Sequence, residues 1–570
     1  MVLDAAKFIP PGPGSWELEQ THLQRPLSRW VQDVFPPNMM RGFKEAMAKY
    51  GLLLSHLDVA IVEGFGYMCP RPVGAPKGAK GPPPKLIFKL VTKLHPEIRR
   101  RVKRAREVWA NKTWRDDVKL WYDDWGPAIA KQNRALAVVD PRSLDDAALA
   151  EHLVAVHARC IDAVYRHHAL NGCSMLPIGD FLAHAMPWTN EPARVLLSLM
   201  TGTSPASCGA REELRRLARA IRADAAIGAK LASNAAAGEI LDALRAAPGE
   251  VGEAAREYVL EAGLRPVGGY DVGEKTALEI PEILVGTIRC AVADTGPARE
   301  IAEAKAVEAE TARVRALVPE AHRAEFDELL AEARVAYPIR DERGYNNDAL
   351  AMGLARRALL AVGERLVKQG KLAAADHGVE LSQDEALALL AGKAGPTRDE
   401  VAARYKYRAE HTVRDAPTHI GLPPSAPPPA EWLPPDAARS MRAVGVALQH
   451  MFETIAQEPE QKSQPKTLRG LPASPGTYEG RARVVGGPDE FSKIEKGDIL
   501  VARMTSPSYN VLVPLLGGVI TDRGGLLSHA AIVAREYGLP AVVGTVEGTR
   551  VIPDLARVRV DGLTGEVQVL

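Results

Sequence analysis

The sequence predicts a multidomain protein with a large, mainly α-helical region followed by a smaller C-terminal α/β domain. The chain has 570 residues, more than one compact core holds. Up to about residue 450 it is rich in Ala, Leu, Arg and Glu, with apolar residues recurring at helical spacing. After Leu468, short runs of β-branched residues alternate with Gly and Pro, a pattern typical of strands and turns. We therefore expect a helical region over 1–450 with one or two subdomains, a flexible linker over 451–467 and an α/β domain over 468–570.

Composition narrows the possible classes of protein. The formal net charge is +1, so the sequence predicts neither a nucleic-acid partner nor an anionic membrane partner. No apolar run approaches the ~18 residues of a membrane span, and the N-terminus lacks the pattern of a signal peptide. The five cysteines are scattered and never form a CxxC pair, which favours reduced thiols and excludes a zinc module. We expect a cytoplasmic protein without a metal site.

Individual helices follow from caps and periodicity. One helix is expected to begin after Pro141 with Ser143 as its N-cap, since Asp145 and Asp146 follow where negative charge suits the helix dipole. Its apolar stripe is Leu149, Leu153, Val156, Cys160 and Val164. Further helices are expected at 212–244, 298–336 and 348–369, and after Ser382.

Proline and glycine interrupt this pattern. Residues 70–85, PRPVGAPKGAKGPPPK, are expected to form a mobile loop. Residues 422–435 carry seven prolines and are expected to form an extended surface strap. The polar segment that follows Phe452 has few apolar anchors, and as a flexible coil of fifteen residues it would span about 20 Å on average.

The C-terminal domain shows the strongest local signals. Strands are expected at 481–485, 499–502, 518–521, 541–543, 557–560 and 566–570, with one helix at 529–537. Ser528 is a good N-cap, and Gly538 and Pro540 end the helix. These assignments place a single histidine, His529, in the first turn of the helix.

A histidine at that position suits covalent phosphoryl transfer. The first-turn amides of a helix lack intrahelical partners and, together with the dipole, attract anions. The positive end of the dipole also favours the neutral imidazole, the form that attacks phosphorus. We therefore predict that His529 carries a phosphoryl group whose oxygens meet Gly524, Gly525 and Ser528. For an isolated histidine, a structural role at the helix start is the usual alternative.

The surrounding residues decide between these roles. Residues 521–544, TDRGGLLSHAAIVAREYGLPAVVG, closely resemble the mobile phosphohistidine domain of the phosphoenolpyruvate-utilising dikinases, as do Ala473 to Gly476 and the segment from Gly497 through Thr505 to Pro507. That family includes phosphoenolpyruvate synthases, rifampin phosphotransferases and phenylphosphate synthases. The resemblance covers essentially all of 468–570 and implies that His529 is the phosphoryl carrier. Leu527 stands where pyruvate dikinases have a regulatory threonine, so that mode of regulation is not expected.

The helical region resembles the acceptor-binding region of the same family more weakly, at Gly14 to Trp16, at Gly202 to Ser204 and at Arg356 to Glu385. No segment resembles the ATP-grasp domain of full-length members, and no GxxxxGKS or GxxxxGKT loop is present. The resemblance therefore implies a separate ATP-grasp subunit that binds Mg²⁺ and ATP, phosphorylates His529 and releases AMP and phosphate.

Candidate residues for the acceptor site come from the same resemblance. Family members place basic residues near a helix start, and the matching segment here contains Arg340 and Arg343, although Gly344 stands where rifampin-type enzymes have a lysine. Arg340 is our first candidate for clamping the phosphoryl group and Arg343 the second. Surface helix charges remain an alternative for both. A phenolic hydroxyl, with a pKa near ~10, would need a general base such as His184 or His22, for which a structural role is the alternative.

Three functions follow from the sequence. The first is the acceptor and carrier subunit of a two-component dikinase that phosphorylates a hydroxyl of a small phenolic molecule. Eight tryptophans in a chain with 5% aromatic residues favour an aromatic acceptor. The second is phosphoryl transfer between phosphoenolpyruvate and pyruvate. The third is a non-catalytic regulatory protein whose histidine is phosphorylated as a signal.

Overall fold

The computed structural model of the chain describes residues 3–20, 22–204, 211–294, 298–452 and 467–570. These residues divide into two compact units. Unit 1 contains 1–176, 269–273 and 346–444, and unit 2 contains 177–268, 274–345 and 445–570. The predicted α/β domain thus belongs to one unit with helices from the middle of the chain. Residues 453–466 of the predicted linker lie outside the described residues.

Helices form most of the chain between residues 29 and 452, and the predicted fold class is confirmed. Their bounds are α1 Arg29–Lys49, α2 Lys85–Leu94, α3 Pro96–Asn111, α4 Trp114–Leu120, α5 Gly126–Ala137, α6 Asp146–Ala169, α7 Leu176–Thr189, α8 Ala193–Ser198, α9 Arg211–Ala223, α10 Ala225–Ala232, α11 Ala237–Ala246, α12 Gly249–Tyr258, α13 Pro281–Ala293, α14 Ala298–Leu317, α15 Arg323–Glu342, α16 Leu350–Lys368, α17 Gln383–Leu390, α18 Arg398–Glu410 and α19 Pro435–Phe452. A π-helical turn, Arg343–Ala349, separates α15 from α16.

Two predicted helices are subdivided in the structure, and one begins later than predicted. The segment predicted at 212–244 forms α9, α10 and α11, and Asp224 caps α10 with its side chain. The segment predicted at 298–336 ends at Leu317 and resumes at Arg323, because Pro319 cannot continue a helix. Helix α6 is capped by Asp145, which accepts the Ala148 N–H at 2.8 Å, whereas Ser143 lies in a preceding 3-10 turn.

Unit 1 also contains an antiparallel sheet that the sequence analysis missed. Its strands are β1 Ser15–Leu18, β2 Leu54–Val62, β3 Phe65–Pro72 and β4 His419–Gly421, in the order β2-β3-β1-β4. Strands β2 and β3 form a hairpin through Glu63 and Gly64, both with positive φ, which is the geometry of a two-residue hairpin turn. The loop predicted at 70–85 is therefore wrong at its start, since Pro70 and Pro72 pair with β2.

In unit 2, residues 467–570 form an α/β domain around an eight-stranded sheet. Its strands are β5 Thr467–Arg469, β6 Leu471–Ser474, β7 Thr477–Val485, β8 Asp498–Ala502, β9 Leu516–Thr521, β10 Ala541–Val543, β11 Arg557–Asp561 and β12 Glu566–Val569, and its helices are α20 His529–Glu536 and α21 Gly548–Val551. The order is β5-β12-β11-β7-β8-β9-β10-β6.

Strands β7, β8, β9 and β10 run parallel to one another, and the other pairs of the sheet are antiparallel. Fully buried aliphatic side chains of the parallel strands, such as Ile499, Val501, Ile520 and Val542, form the core. Helix α20 is the next helix after β9 in the chain. Its first residue therefore lies beyond the carboxyl end of an inner strand, where open α/β sheets commonly bind ligands. Among the described residues, no helix has both the length and the apolar character needed to cross a membrane.

Ile520 tests whether this core supports the loop that presents His529. Replacing Ile520, which is 0% exposed, with Ala should destabilise the domain by about 2–5 kcal/mol, because it removes buried methyl groups and leaves a cavity. Amide hydrogen exchange in β8 and β9 should accelerate accordingly. The matched control Leu563→Ala, at a side chain that is 51% exposed, should leave that exchange within error. Equal exchange in the two variants would contradict the placement of the core.

Candidate active site around His529

The site is built on the connection between β9 and α20. Gly524 has φ +107°, and a Cβ added there would lie 2.9 Å from the Ser528 side chain, so both backbone conformation and space require glycine. The Gly525 N–H donates to the Met451 carbonyl at 3.1 Å and the Leu527 N–H to the His450 carbonyl at 2.8 Å. The connection is thereby fixed to the end of α19, and His529 begins α20 as predicted.

Both ring nitrogens of His529 have side-chain partners from one irregular segment of the same domain. Nδ1 lies 2.9 Å from Thr505 Oγ1, and Nε2 lies 2.9 Å from Asn510 Oδ1. An amide oxygen only accepts hydrogen bonds, so in this arrangement Nε2 carries the proton and Nδ1 accepts from the Thr505 hydroxyl. Thr505 and Asn510 thus fix the orientation of the ring and its tautomer.

Burial determines the charge of this ring. It lowers the pKa of His529 from 6.5 to about 4, and the nearby Asp341 carboxylate opposes this effect without reversing it. The imidazole is therefore neutral at pH 7, and its lone pair, on Nδ1, would become a nucleophile for phosphorus once the bond from Thr505 is released. The predicted neutral imidazole agrees with this pKa, but its main physical cause is loss of solvation.

The polar atoms next to the ring are incompletely paired. Ser528 is the N-cap residue, as predicted, with extended backbone (φ −71°, ψ 159°), but its side chain makes no capping hydrogen bond. Among the described residues, the buried Ser528 Oγ and Ser506 Oγ have no hydrogen-bond partner. Buried hydroxyls are normally satisfied, so Ser528 Oγ, in the residue directly before His529, is a candidate partner for a ligand oxygen.

Arg340 is brought to the loop that precedes His529. It lies near the end of α15, and its Nε donates to the Leu527 carbonyl at 3.0 Å. Arg343 follows at the first residue of the π-helical turn and is buried. Asp341, between these two arginines, is the carboxylate that acts on the charge of His529.

His184 does not lie in the irregular stretch that the sequence predicted, but within α7. Its Nδ1 donates to the Asp180 carbonyl at 2.8 Å, and its ring packs on Trp188, with centroids 5.6 Å apart. Trp188 in turn stacks on His322 at 4.8 Å. These contacts hold His184 against its own helix and favour the structural alternative.

The other histidine candidate, His22, is in unit 1. Its Nδ1 lies 2.8 Å from a Glu19 carboxylate oxygen, and its ring packs near Tyr270. Within the described part of the chain, no three His, Cys, Asp or Glu side chains are placed to hold a metal ion.

Thr505, Asn510 and Asp341 are site residues to which the sequence analysis gave no role. They lie 24, 19 and 188 positions before His529 in the chain, and only folding brings them to it. The one available signal was that Thr505 falls in a segment similar to the dikinase mobile domain. A threonine, an asparagine or an aspartate at these positions has no local pattern that would distinguish it from a surface residue.

Two family descriptions match parts of this chain. Residues 494–565 match the mobile domain of PEP-utilising enzymes, and residues 178–341 match the fourth domain of rifampicin phosphotransferase. The two matched segments contain His529 and Arg340, respectively. The expected resemblance is thereby confirmed.

Individual relatives agree with these descriptions. A rifampicin phosphotransferase from Streptomyces is 33% identical over 345 residues, 58% of this chain and 36% of that protein. Another from Bacillus cereus is 46% identical over 105 residues, 18% of this chain and 12% of that protein. A phosphoenolpyruvate synthase from Aeropyrum pernix is 44% identical over 119 residues, 20% of this chain and 14% of that protein. This chain spans about a third or less of the length of these relatives.

The pKa of His529 provides a test of the site. Histidine C2 hydrogen exchange followed by mass spectrometry should give a midpoint near pH 4 for His529. Because the unfolded chain binds this proton near pH 6.5, the free energy of unfolding should fall as the pH decreases from 6.5 to about 4. In Asp341→Asn the midpoint should fall further, since the carboxylate that raises it is gone.

The matched control is Asp327→Asn, an exposed residue of the same helix that pairs with Arg315. It should leave the midpoint of His529 unchanged. A wild-type midpoint near 6.5, or equal midpoints in wild type and Asp341→Asn, would show that the ring is not in the described environment.

Proposed function

We propose that this chain, whose residues 494–565 match the mobile domain of PEP-utilising enzymes, is a cytoplasmic phosphotransferase with a phosphohistidine intermediate. His529 accepts a phosphoryl group and passes it to a hydroxyl of a small-molecule acceptor. The observation that carries this proposal is the neutral, doubly hydrogen-bonded ring of His529 at the start of α20, beside the unpaired hydroxyl of Ser528.

The reaction consists of two displacements at phosphorus. In the first, a lone pair of the imidazole forms an N–P bond while the bond between phosphorus and the donor oxygen breaks. In the second, the acceptor oxygen forms a P–O bond, the N–P bond breaks and the electron pair returns to the ring. The acceptor hydroxyl must lose its proton during this step. Asp341, the carboxylate whose charge acts on His529, is the candidate group to accept that proton.

Several groups of the chain can stabilise the negative charge of the phosphoryl group during transfer. Its oxygens carry most of the negative charge in the transition state, so catalysis depends on positioning and on positive partners. The first-turn amides of α20 and the hydroxyl of Ser528 supply donors on the carrier side. Arg340 supplies a cation from α15, attached to the carbonyl two residues before His529.

The donor in this proposal is ATP, bound with Mg²⁺ by an ATP-grasp subunit. The imidazole attacks the β-phosphorus and AMP leaves; water then cleaves the β–γ bond, so that phosphate leaves and the β-phosphoryl group stays on His529. This assignment rests on the likeness to the dikinase family. Mg²⁺ would neutralise the nucleotide phosphates in the partner, while the residues of this chain hold and orient the imidazole.

For the acceptor we propose a phenolic or other hydroxylated aromatic molecule. The match to the fourth domain of rifampicin phosphotransferase, and the relatives that carry that name, make rifampicin the first compound to test. Transfer between phosphoenolpyruvate and pyruvate has less support. The match to a phosphoenolpyruvate synthase covers 119 residues, whereas a match to rifampicin phosphotransferase covers 345.

Labelling of His529 tests the proposal directly. The chain, mixed with a candidate ATP-grasp subunit and with Mg-ATP labelled at the β-phosphate, should acquire acid-labile label at His529. His529→Gln should abolish both the label and product formation with rifampicin or a panel of phenols. His56→Gln, a partly exposed histidine of β2, should behave as wild type. Product formation by His529→Gln would exclude a phosphohistidine intermediate at this residue.

Arg340 should affect the second displacement more than the first. Arg340→Ala should slow transfer from phosphorylated His529 to the acceptor by about 10²–10³-fold, comparable to losing one transition-state donor, and leave labelling of His529 within a few-fold. Rapid-quench measurement of each half-reaction separates the two. Arg323→Ala, which also removes an arginine bonded to a carbonyl near α15, is the control. Equal slowing of the transfer step in both variants would show that Arg340 does not act at the site.

A further inference from the structure

Residues 467–570 contact the helical part of unit 2 through polar groups that have no role in the proposed function. Both carboxylate oxygens of Glu536 accept from the Gly202 N–H, at 3.1 and 3.0 Å. Arg535 Nη2 donates to the Tyr337 hydroxyl at 3.2 Å. Glu536 and Arg535 end α20, the helix that His529 begins, so these contacts act on the same rigid element as the carrier ring.

The partners of Glu536 and Arg535 are themselves fixed. Gly202 lies in the turn after α8 and has φ +83°, a conformation that favours glycine and sets the direction of its N–H. The same turn is held by Arg334 of α15, whose Nε donates to the Leu199 carbonyl at 2.9 Å. Tyr337 is one turn further along α15 and is 2% exposed. Helix α15 thus supports both positions at which α20 is held.

Within residues 467–570, Arg535 is anchored independently of these contacts. Its Nη1 donates to the Ala473 carbonyl at 3.1 Å and its Nη2 to the Leu526 carbonyl at 3.0 Å. The two hydrogen bonds to the Ala473 and Leu526 carbonyls lie within the domain, and the hydrogen bond to Tyr337 is additional to them. Glu536 is 6% exposed, and a carboxylate so buried requires hydrogen-bond donors. Leaving Gly202 would expose it to water.

We propose that Glu536 and Arg535 are positioning residues that hold the carrier domain on the helical region 177–345, with the Gly202 amide and the Tyr337 hydroxyl as the receiving groups. This docked arrangement, in which Asp341 and Arg340 lie at the His529 loop, is the one that transfers the phosphoryl group to the acceptor; this part rests on the proposed function. Undocking, which breaks these contacts together with the bonds of Gly525 and Leu527 to the end of α19, releases α20 and gives His529 access to its donor.

The docking contacts can be tested without donor, partner or acceptor. In the full-length chain, Glu536→Ala should increase amide hydrogen exchange at least threefold in peptides covering 199–204 and the end of α15, and Glu536→Gln should give an intermediate increase. Tyr337→Phe, which removes only the receiving hydroxyl, should shift the same peptides in the same direction. Glu479→Ala, a half-exposed glutamate on β7 of the same domain, should leave them unchanged. Unchanged exchange in Glu536→Ala would overturn the proposal.

Chemical phosphorylation by phosphoramidate then connects docking with access to the ring. Since the ring is partly buried in the docked arrangement, His529 should be labelled at least threefold faster in Glu536→Ala than in wild type, with Glu479→Ala at the wild-type rate. Faster exchange with equal labelling would overturn the claim that these contacts control access. If no form of the chain is labelled at His529, the proposed function fails, while the exchange data still decide whether Glu536 holds the domain.

Discussion

The site depends on one constraint: an imidazole must remain neutral, oriented and partly buried at the first residue of a short helix. Burial lowers the pKa of His529 to about 4, which keeps the ring a nucleophile well below neutral pH. Thr505 and Asn510 occupy its two nitrogens and prevent rotation. The Ser528 hydroxyl is buried without a partner, a cost that the proposed binding of a phosphoryl oxygen would offset.

The fold around this ring is arranged to present it. The parallel strands β7 to β10 bring the β9–α20 connection to the carboxyl edge of the sheet, and buried aliphatic residues below it keep the strands in register. Glycine at 524 is required because any side chain would meet Ser528. Helix α20 then extends from the ring to Arg535 and Glu536, so one eight-residue element joins the chemistry to the docking contacts.

Helix α15 is the counterpart of α20 in the helical part of unit 2. Arg334, Tyr337, Arg340 and Asp341 are all on it, within two turns. Arg334 contacts the turn that receives Glu536, and Tyr337 contacts α20. Arg340 contacts the loop before His529, and Asp341 acts on the charge of His529. The helix therefore combines docking with the charged groups that the proposed transfer needs. His184, predicted from sequence as a base, lies instead on α7 against Trp188 and Asp180.

The sequence by itself determined the helical and α/β division, the position of His529 at the start of α20 and the strands that flank it, because caps, glycines and β-branched runs are local signals. It missed the hairpin of β2 and β3, whose pairing depends on a two-residue turn, and it did not show that the N-cap Ser528 lacks a side-chain capping bond. Thr505, Asn510, Asp341 and the Gly202–Glu536 contact arose only from tertiary structure. Hydrogen bonds across 19 to 334 positions have no sequence periodicity, and burial, which sets the charge of His529, is a property of the packed chain.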